Sequence, residues 1–261
     1  MQWRPGVRSP KAVVVIIALA TAGGSGMPVA AGAEEFTPAQ RAEIVRIVRD
    51  ALREDPSILR EAVEALQSAE GKRVEDARRT AIATARPVLF TDPADPVGGN
   101  PAGDVTIVEF FDPRCPYCRR LEPTMAGLLQ RDHGLRLVYK DLPILGPGSV
   151  LGSRALLAAF RQQDRVPQAY ERLRSALMQG GPDITKERIE TEAERLGLDL
   201  PRLQHDMADP ALQQQLDGNL KLARSLGIDG TPALVIGNNL IPGAVELSEL
   251  QKAVADARAA R

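Results

Sequence analysis

Apolar positions in the N-terminal third recur at the three- and four-residue intervals of a helix face. The pattern predicts two amphipathic helices separated by Asp55-Pro56. Thr37 stands at an N-cap position, with Pro38 as first helical residue and Gln40 placed for a capping box. The two apolar stripes are Ile44, Val45, Ile47, Val48, Ala51 and Leu52, then Ile58, Leu59, Ala62, Val63 and Leu66.

The stretch from Ser68 to Arg86 is charged with scattered alanines, which predicts either an exposed helix or a flexible connector. Two helices and a polar connector bury little apolar surface on their own. Their apolar faces therefore pack either on the main domain or on other copies of the chain. We favour self-association, because the connector is typical of a spacer.

The pattern then changes to short buried strands separated by helices. A loop rich in Pro, Gly and Asp is expected from Thr91 to Asp104. The predicted order is strand, helix, strand, a long helical block, two strands and a helix, which indicates an α/β fold made of a βαβ half and a ββα half. The predicted elements are strand Val105–Phe111, a helix from Cys115 to about Arg131, strand Leu135–Asp141, helices over Val150–Leu226, strand Ala233–Ile236, a short strand near Leu240 and a helix from near Leu247.

The first 33 residues have the layout of a signal peptide. A basic start at Arg4, Arg8 and Lys11 precedes an apolar run from Ala12 to Ala22, and Ala31-Gly32-Ala33 is typical of a cleavage site. The run is shorter than the roughly 20 apolar residues that span a bilayer. We expect cleavage after Ala33 and export, with an uncleaved anchor as the alternative.

Composition adds one constraint: the net charge of −1 and the absence of a basic stripe with interleaved aromatics give no argument for nucleic-acid binding.

The two cysteines, Cys115 and Cys118, form a Cys-Pro-Tyr-Cys motif. A disulfide closing so short a loop would stabilise the fold by only about 2 kcal/mol, against nearly 5 for a long loop. A structural zinc site needs about four ligands, and His133 and His205 are not in a paired spacing. We therefore expect no metal and no cofactor.

The motif suits thiol–disulfide exchange. A thiolate attacks a disulfide, and a second cysteine within reach resolves the mixed disulfide. Cys115 lies at a strand-to-helix junction, where the free N–H groups and dipole of the helix favour a negative sulfur. Cys118 follows one turn later, and Pro116 costs no hydrogen bond in the first turn.

The stretch Asp104–Asp112, followed by Cys115-Pro116-Tyr117-Cys118, resembles the DsbA family of thiol–disulfide oxidoreductases, and Gly230-Thr231-Pro232-Ala233 resembles the cis-proline loop of that superfamily. The resemblance implies a thioredoxin fold over residues 87–261 with a helical insertion at about 147–227. It also implies a cis Thr231–Pro232 bond, with the backbone of Thr231 turned toward an extended substrate peptide.

The segment from Phe36 to Leu66 resembles the N-terminal segment of ScsC-type proteins, a DsbA-like branch tied to copper tolerance. The resemblance implies an oligomerising extension over residues 34–86, a homotrimer formed through residues 36–66, and a periplasmic location. The expected partners are exported proteins with thiols or disulfides and a membrane redox protein.

Glu109 lies on the apolar face of the predicted strand that also carries Val105, Ile107 and Phe111. Thioredoxin-like proteins commonly carry a buried acid six residues before the first cysteine, which is the position of Glu109. A buried carboxylate requires a partner, and we expect Lys140 on the next strand to supply it. Glu109 either assists proton transfer at Cys118 or forms a structural ion pair.

The active-site sequence also departs from its relatives. Arg114 stands where thioredoxins usually have Trp, and Tyr117 stands where the best-known DsbA oxidases have His. We therefore expect Cys115 to be acidic for a thiol, but less so than in the strongest oxidases. Three functions stay open: a disulfide isomerase or reductase, which we favour, a dithiol oxidase, and a Cu(I)-binding protein that uses its soft thiolates.

Overall fold

The computed structural model describes residues 36–260. The predicted signal peptide and its cleavage site lie outside these residues. The elements are α1 (Pro38–Glu54), α2 (Ser57–Thr84), α3 (Arg86–Phe90), β1 (Val97–Gly99), β2 (Val105–Phe111), α4 (Pro116–Arg131), β3 (Leu135–Asp141), α5 (Pro147–Phe160), α6 (Ala169–Gln179), α7 (Lys186–Leu196), α8 (Leu200–Met207), α9 (Pro210–Ser225), β4 (Ala233–Ile236), β5 (Asn239–Pro242) and α10 (Leu247–Ala259).

Residues 36–260 divide into two compact units, with the division between Val63 and Glu64. In the first unit, α1 begins with the predicted capping box between Thr37 and Gln40. No residue of α1 is buried, and its apolar stripe is exposed.

The charged stretch after Ser68 is helical, because α2 runs unbroken to Thr84. Ile82, near the end of α2, belongs to the second unit. It is fully buried, in the same apolar cluster as Leu89, Val108 and Phe110. The two compact units thus divide after Val63, whereas the sequence predicts that the helical extension ends at residue 86. The domain boundary at residue 86 stays a prediction.

The second unit is built on a five-stranded sheet with strand order β1-β3-β2-β4-β5. The two central strands, β2 and β3, are parallel, whereas β1, β4 and β5 each run antiparallel to their neighbours. The bounds of β2, β3 and β4 are those predicted from the apolar runs. Helices α5 to α9 lie in sequence between β3 and β4 and form the helical insertion. This is the predicted α/β thioredoxin fold.

Apolar side chains on the two faces of β2 enter different cores, since successive residues of a strand point to opposite sides. Ile107 and Phe111 pack with α4, α10 and the helical insertion. Val108 and Phe110 pack with Ile82 and residues of α9. Both faces of the central strands are therefore covered, which explains their continuous apolar sequence.

One strand was not predicted. β1 pairs with β3 at the sheet edge, in register Val97↔Val138, within a segment expected to be a loop. Its sequence, Val-Gly-Gly, has no alternation to mark a strand. Gly99 has φ +67°, and a Cβ there would lie 2.7 Å from the carbonyl oxygen of Leu135, so the pairing itself requires glycine.

Within residues 36–260, no helix has the length and apolar character needed to cross a lipid bilayer.

Candidate active site

The Cys-Pro-Tyr-Cys motif lies where β2 gives way to α4. Cys115 is the N-cap residue of α4, and Pro116 is in its first turn, as predicted. The backbone N–H of Cys115 donates to the carbonyl oxygen of Asp112 (3.0 Å), which closes the turn out of the strand. The Cys115 side chain is 4% exposed and the Cys118 side chain is fully buried, whereas Pro116 and Tyr117 between them are exposed.

The two thiols have opposite acidities. The pKa of Cys115 is lowered to about 5, first by a hydrogen bond from the Cys118 thiol and then by the Thr231 side chain and the backbone N–H groups of Cys118 and Tyr117. The pKa of Cys118 is raised by burial, by its hydrogen bond to Cys115 and by the negative charge of Glu109. Cys115 is therefore the nucleophile at neutral pH, and Cys118 needs a proton acceptor before it attacks.

The Thr231–Pro232 loop lies against Cys115. The Thr231–Pro232 bond is cis, as the family resemblance implies. The Cys115 thiol donates to the carbonyl oxygen of Thr231 (3.2 Å). Beside this loop is a surface cavity of about 380 Å³, whose lining includes Arg78, Asp229, Thr231, Pro232, Leu240 and Pro242.

The carboxylate of Asp112, which the sequence analysis did not single out, joins the turn before Cys115 to the loop at Ile144 and Leu145. It is fully buried and accepts four hydrogen bonds: from the backbone N–H groups of Arg114 (2.8 Å), Ile144 (2.8 Å) and Leu145 (3.0 Å), and from Ser149 Oγ (2.8 Å). The side chain of Arg114 adds two bonds, to the carbonyl oxygens of Leu145 (2.6 Å) and Pro182 (2.8 Å). These contacts fix the helical insertion to the redox turn.

The expected pairing of Glu109 with Lys140 is wrong. In the parallel register, Glu109 lies opposite Tyr139, and Lys140 lies opposite Phe110, so the two side chains point to opposite faces of the sheet. Lys140 pairs instead with Asp95, at 2.5 Å, and both side chains are 1% exposed. Burial raises the pKa of Asp95 to about 6.

Arg174 of α6 is the partner of Glu109, at 2.9 Å from Nη2 to Oε1. The guanidinium also lies 3.4 Å from Glu122 and stacks over the rings of Phe111 (4.6 Å) and Tyr139 (5.0 Å). The sequence did carry a signal: Arg174 falls four residues after Tyr170 and four before Met178, on a buried stripe. A charged residue in such a stripe indicates a buried counter-charge.

Several apolar side chains near the redox turn are exposed. Tyr117 is 53% exposed, and the guanidinium of Arg120 lies 4.2 Å from the centre of its ring. Ile144 and Leu145, held by Asp112, are also exposed.

Within residues 36–260, no group of three or more His, Cys, Asp or Glu side chains is placed to hold a metal ion.

Comparisons with known proteins agree with this geometry. Residues 106–255 match the DSBA-like thioredoxin domain, and residues 40–72 match the copper resistance protein ScsC N-terminal domain. A thioredoxin-like oxidoreductase from Silicibacter pomeroyi DSS-3 is 46% identical, with a TM-score of 0.63 over 67% of this chain and 99% of its own. ScsC from Proteus mirabilis, in a transitional conformation, is 32% identical, with a TM-score of 0.63 over 87% and 100% of the two chains.

A curated relative, a Na(+)/H(+) antiporter NhaA 3 from Salinispora tropica, is 28% identical over 171 residues, 63% of this chain. The match spans only 26% of the antiporter's length. The matched family domain contains both cysteines and the Thr231–Pro232 loop. With 150 residues matched, from 106 to 255, the chain belongs to the DSBA-like thioredoxin family of thiol–disulfide oxidoreductases and carries a ScsC-type N-terminal segment.

Proposed function

We propose that the protein is an exported, periplasmic isomerase or reductase of protein disulfides that works as a homo-oligomer, a trimer, through residues 36–66. The observation that carries the proposal is the exposed apolar stripe of α1 among residues 36–260, with Val45, Ile47 and Val48 each at least half exposed, in a segment of ScsC type. Several active sites around one substrate raise the effective concentration of thiols, which suits reshuffling.

The chemistry starts at Cys115. Its thiolate attacks one sulfur of a substrate disulfide, a Cys115–substrate bond forms, and the other substrate sulfur leaves as a thiolate with the electron pair. In isomerisation, a substrate thiolate later attacks the substrate sulfur of this mixed disulfide and expels the Cys115 thiolate, with no net redox change.

In reduction, Cys118 loses its proton and attacks Cys115 instead. A Cys115–Cys118 disulfide forms, the substrate sulfur leaves as a thiolate, and the substrate gains the two electrons that the cysteine pair loses. A membrane partner that returns these electrons is part of the proposal. Thr231 and the adjacent cavity are the proposed binding site for an extended substrate backbone.

The test combines the redox equilibrium with glutathione and refolding of a scrambled disulfide substrate. We expect unscrambling by the mature chain, and loss of most of it in a chain that begins at Glu64. A potential near that of strong oxidases without unscrambling would make the protein a disulfide donor. No exchange with glutathione would remove the oxidoreductase function and favour Cu(I) binding.

A matched pair of variants isolates the role of α1. V48D places a charge in the apolar stripe, whereas A42D places the same charge on the exposed opposite face. We expect V48D to lower both the subunit number by sedimentation and the unscrambling rate, and A42D to change neither. Unchanged subunit number in V48D would contradict assembly through α1.

A further inference from the structure

We propose that Arg174, supplied by the helical insertion, is a positioning residue for resolution of the mixed disulfide: it holds Glu109 charged and oriented as the proton acceptor of Cys118. The inference deepens the proposed function and rests on it, since resolution occurs only if the protein exchanges disulfides.

The first support is the geometry of the Glu109 carboxylate. Arg174 binds its Oε1 at 2.9 Å, while its Oε2 is buried and has no hydrogen-bond partner among residues 36–260. A buried oxygen without a partner costs free energy in the folded state, so each one calls for a physical explanation. Glu109 shares its face of β2 with Ile107 and Phe111, which pack in the same core as Cys118, and its negative charge raises the pKa of the Cys118 thiol. The free oxygen therefore belongs to the environment of the resolving thiol.

The second support is that one guanidinium serves two carboxylates. Arg174 contacts Glu109, whose side chain is 1% exposed, and Glu122, whose side chain is 19% exposed. When Glu109 accepts a proton and becomes neutral, Glu122 remains as the counter-charge. The buried guanidinium is therefore paired throughout the step, which avoids the large cost of an unpaired buried charge.

The third support is the way Arg174 is held. Its guanidinium packs over the rings of Phe111 and Tyr139, in an aromatic cluster completed by Tyr170. This planar stacking leaves the N–H groups of the guanidinium directed at the carboxylates of Glu109 and Glu122. A lysine would keep the charge without the stacked, planar contact.

The charges around Glu109 come from several elements. Burial raises the pKa of Glu109, Arg174 of α6 opposes that rise, and Glu122 of α4 adds to it. Tyr139 of β3, and Tyr170 and Glu171 of α6, also face this cluster, and the pKa values of all three are raised by burial. Arg174 is the cation that opposes the effect of burial on Glu109.

Cys118 transfers its proton to Oε2 of Glu109, and its sulfur bonds to Sγ of Cys115. The bond between Cys115 and the substrate sulfur breaks, and the substrate sulfur leaves as a thiolate with the electron pair. The cysteine pair is oxidised by two electrons and the substrate is reduced by two.

The experiment follows the release of glutathione from the Cys115 mixed disulfide, from pH 5 to 9, in the full mature chain. R174M is expected to move the half-maximal pH upward by about one unit and to slow release about tenfold at pH 7, since less Glu109 is ionised. R174K keeps the charge without the stacked, planar contact, so its profile is expected to lie between those of R174M and wild type. E122Q is expected to move the profile to lower pH, since it removes a charge that opposes ionisation of Glu109.

The double variant tests whether Arg174 acts through Glu109. E109Q alone is expected to slow release, and R174M is expected to slow E109Q by less than about twofold. A pH profile unchanged in R174M, with only a lower melting temperature, would overturn the inference, as would an equal effect of R174M in both backgrounds. If R174M fails to fold, an E122Q profile that does not move to lower pH overturns it.

A further outcome separates this inference from the proposed function. A wild type that exchanges with glutathione and shows the profile shifts, but does not unscramble substrates, refutes the isomerase assignment and leaves the role of Arg174 intact. A wild type that does not exchange at all refutes both.

Discussion

Cys115 and Cys118 are separated by two residues, yet their sulfur atoms are in opposite environments. Cys115 is the N-cap residue of α4, and the side-chain and backbone donors near its sulfur lower its pKa and favour the thiolate. Cys118 faces inward, toward apolar side chains and a carboxylate, which favour its thiol. The position of the helix start between them produces this difference, because it turns one cysteine toward the free N–H groups and the other toward the core.

The acidity of Cys115 is directly measurable. In the reduced protein, ultraviolet absorption of the thiolate is expected to change with a midpoint near pH 5, because hydrogen bonds lower the pKa of Cys115 to about that value. C115S is expected to lose this transition and C118S to keep one at a low pH. A single midpoint near the roughly 8.5 of free cysteine would contradict the assignment.

Asp112 gives a prediction on stability at the same scale. D112A removes an acceptor of four hydrogen bonds, so we expect the free energy of unfolding to fall by about 3 kcal/mol or more. S149A removes only one of these bonds and is expected to cost about 1 kcal/mol. Urea denaturation compares the two, and equal losses would show that the backbone N–H bonds contribute nothing.

At the scale of elements, the buried pair Lys140–Asp95 joins β3 to the segment before β1 on the sheet face away from Glu109. A strand of three residues at a sheet edge gains little from its own apolar burial. The ion pair and the ladder to β3 are thus what fix the N-terminal edge of the sheet.

K140M is expected to destabilise the protein by about 3 kcal/mol or more at pH 7, since it leaves the Asp95 carboxylate buried without a counter-charge. The loss is expected to shrink at pH 5, where Asp95, with its pKa already near 6, takes up a proton. D95L/K140M is expected to recover most of the stability. Urea denaturation at both pH values is the measurement, and a loss independent of pH would contradict this account.

Strands with a clear apolar pattern were predicted from the sequence, and the strand without one was missed. The bounds of β2 and β3 followed from their apolar runs, whereas β1 is defined only by its backbone pairing with β3. Cys115, Cys118 and the Thr231–Pro232 loop were predicted because local motifs mark them. Arg174 was missed, because its contact with Glu109 joins residues 65 positions apart.

At the scale of the whole molecule, shifted pKa values affect the stability of the fold in opposite directions. Burial raises the pKa of Asp95 to about 6 and that of Asp141 to about 7, above their unfolded values near 4. A raised carboxyl pKa destabilises the fold above that pKa, and the penalty disappears as the pH falls. The lowered pKa of Cys115 stabilises the reduced fold above about pH 8.5, and this contribution is lost as the pH falls toward 5.

The oxidised protein is therefore expected to gain stability, on the order of 1–3 kcal/mol, between pH 8 and pH 5, because its buried carboxyls take up protons and it has no free thiol. The reduced protein is expected to gain less over the same range, since protonation of Cys115 acts in the opposite direction. Thermal unfolding of both forms at the two pH values measures this. An equal gain in both forms would show that the Cys115 thiolate does not contribute to stability.

The placement of the three tyrosines allows intrinsic tyrosine fluorescence to report on the redox site. The one indole of the sequence, Trp3, precedes the predicted cleavage site, so a chain cleaved after Ala33 emits from tyrosine alone. Tyr139 and Tyr170 are buried, with ring centres 5.1 Å apart, whereas Tyr117 is exposed between the two cysteines. A change of tyrosine fluorescence on oxidation would then originate at Tyr117 and would report the redox state without any label.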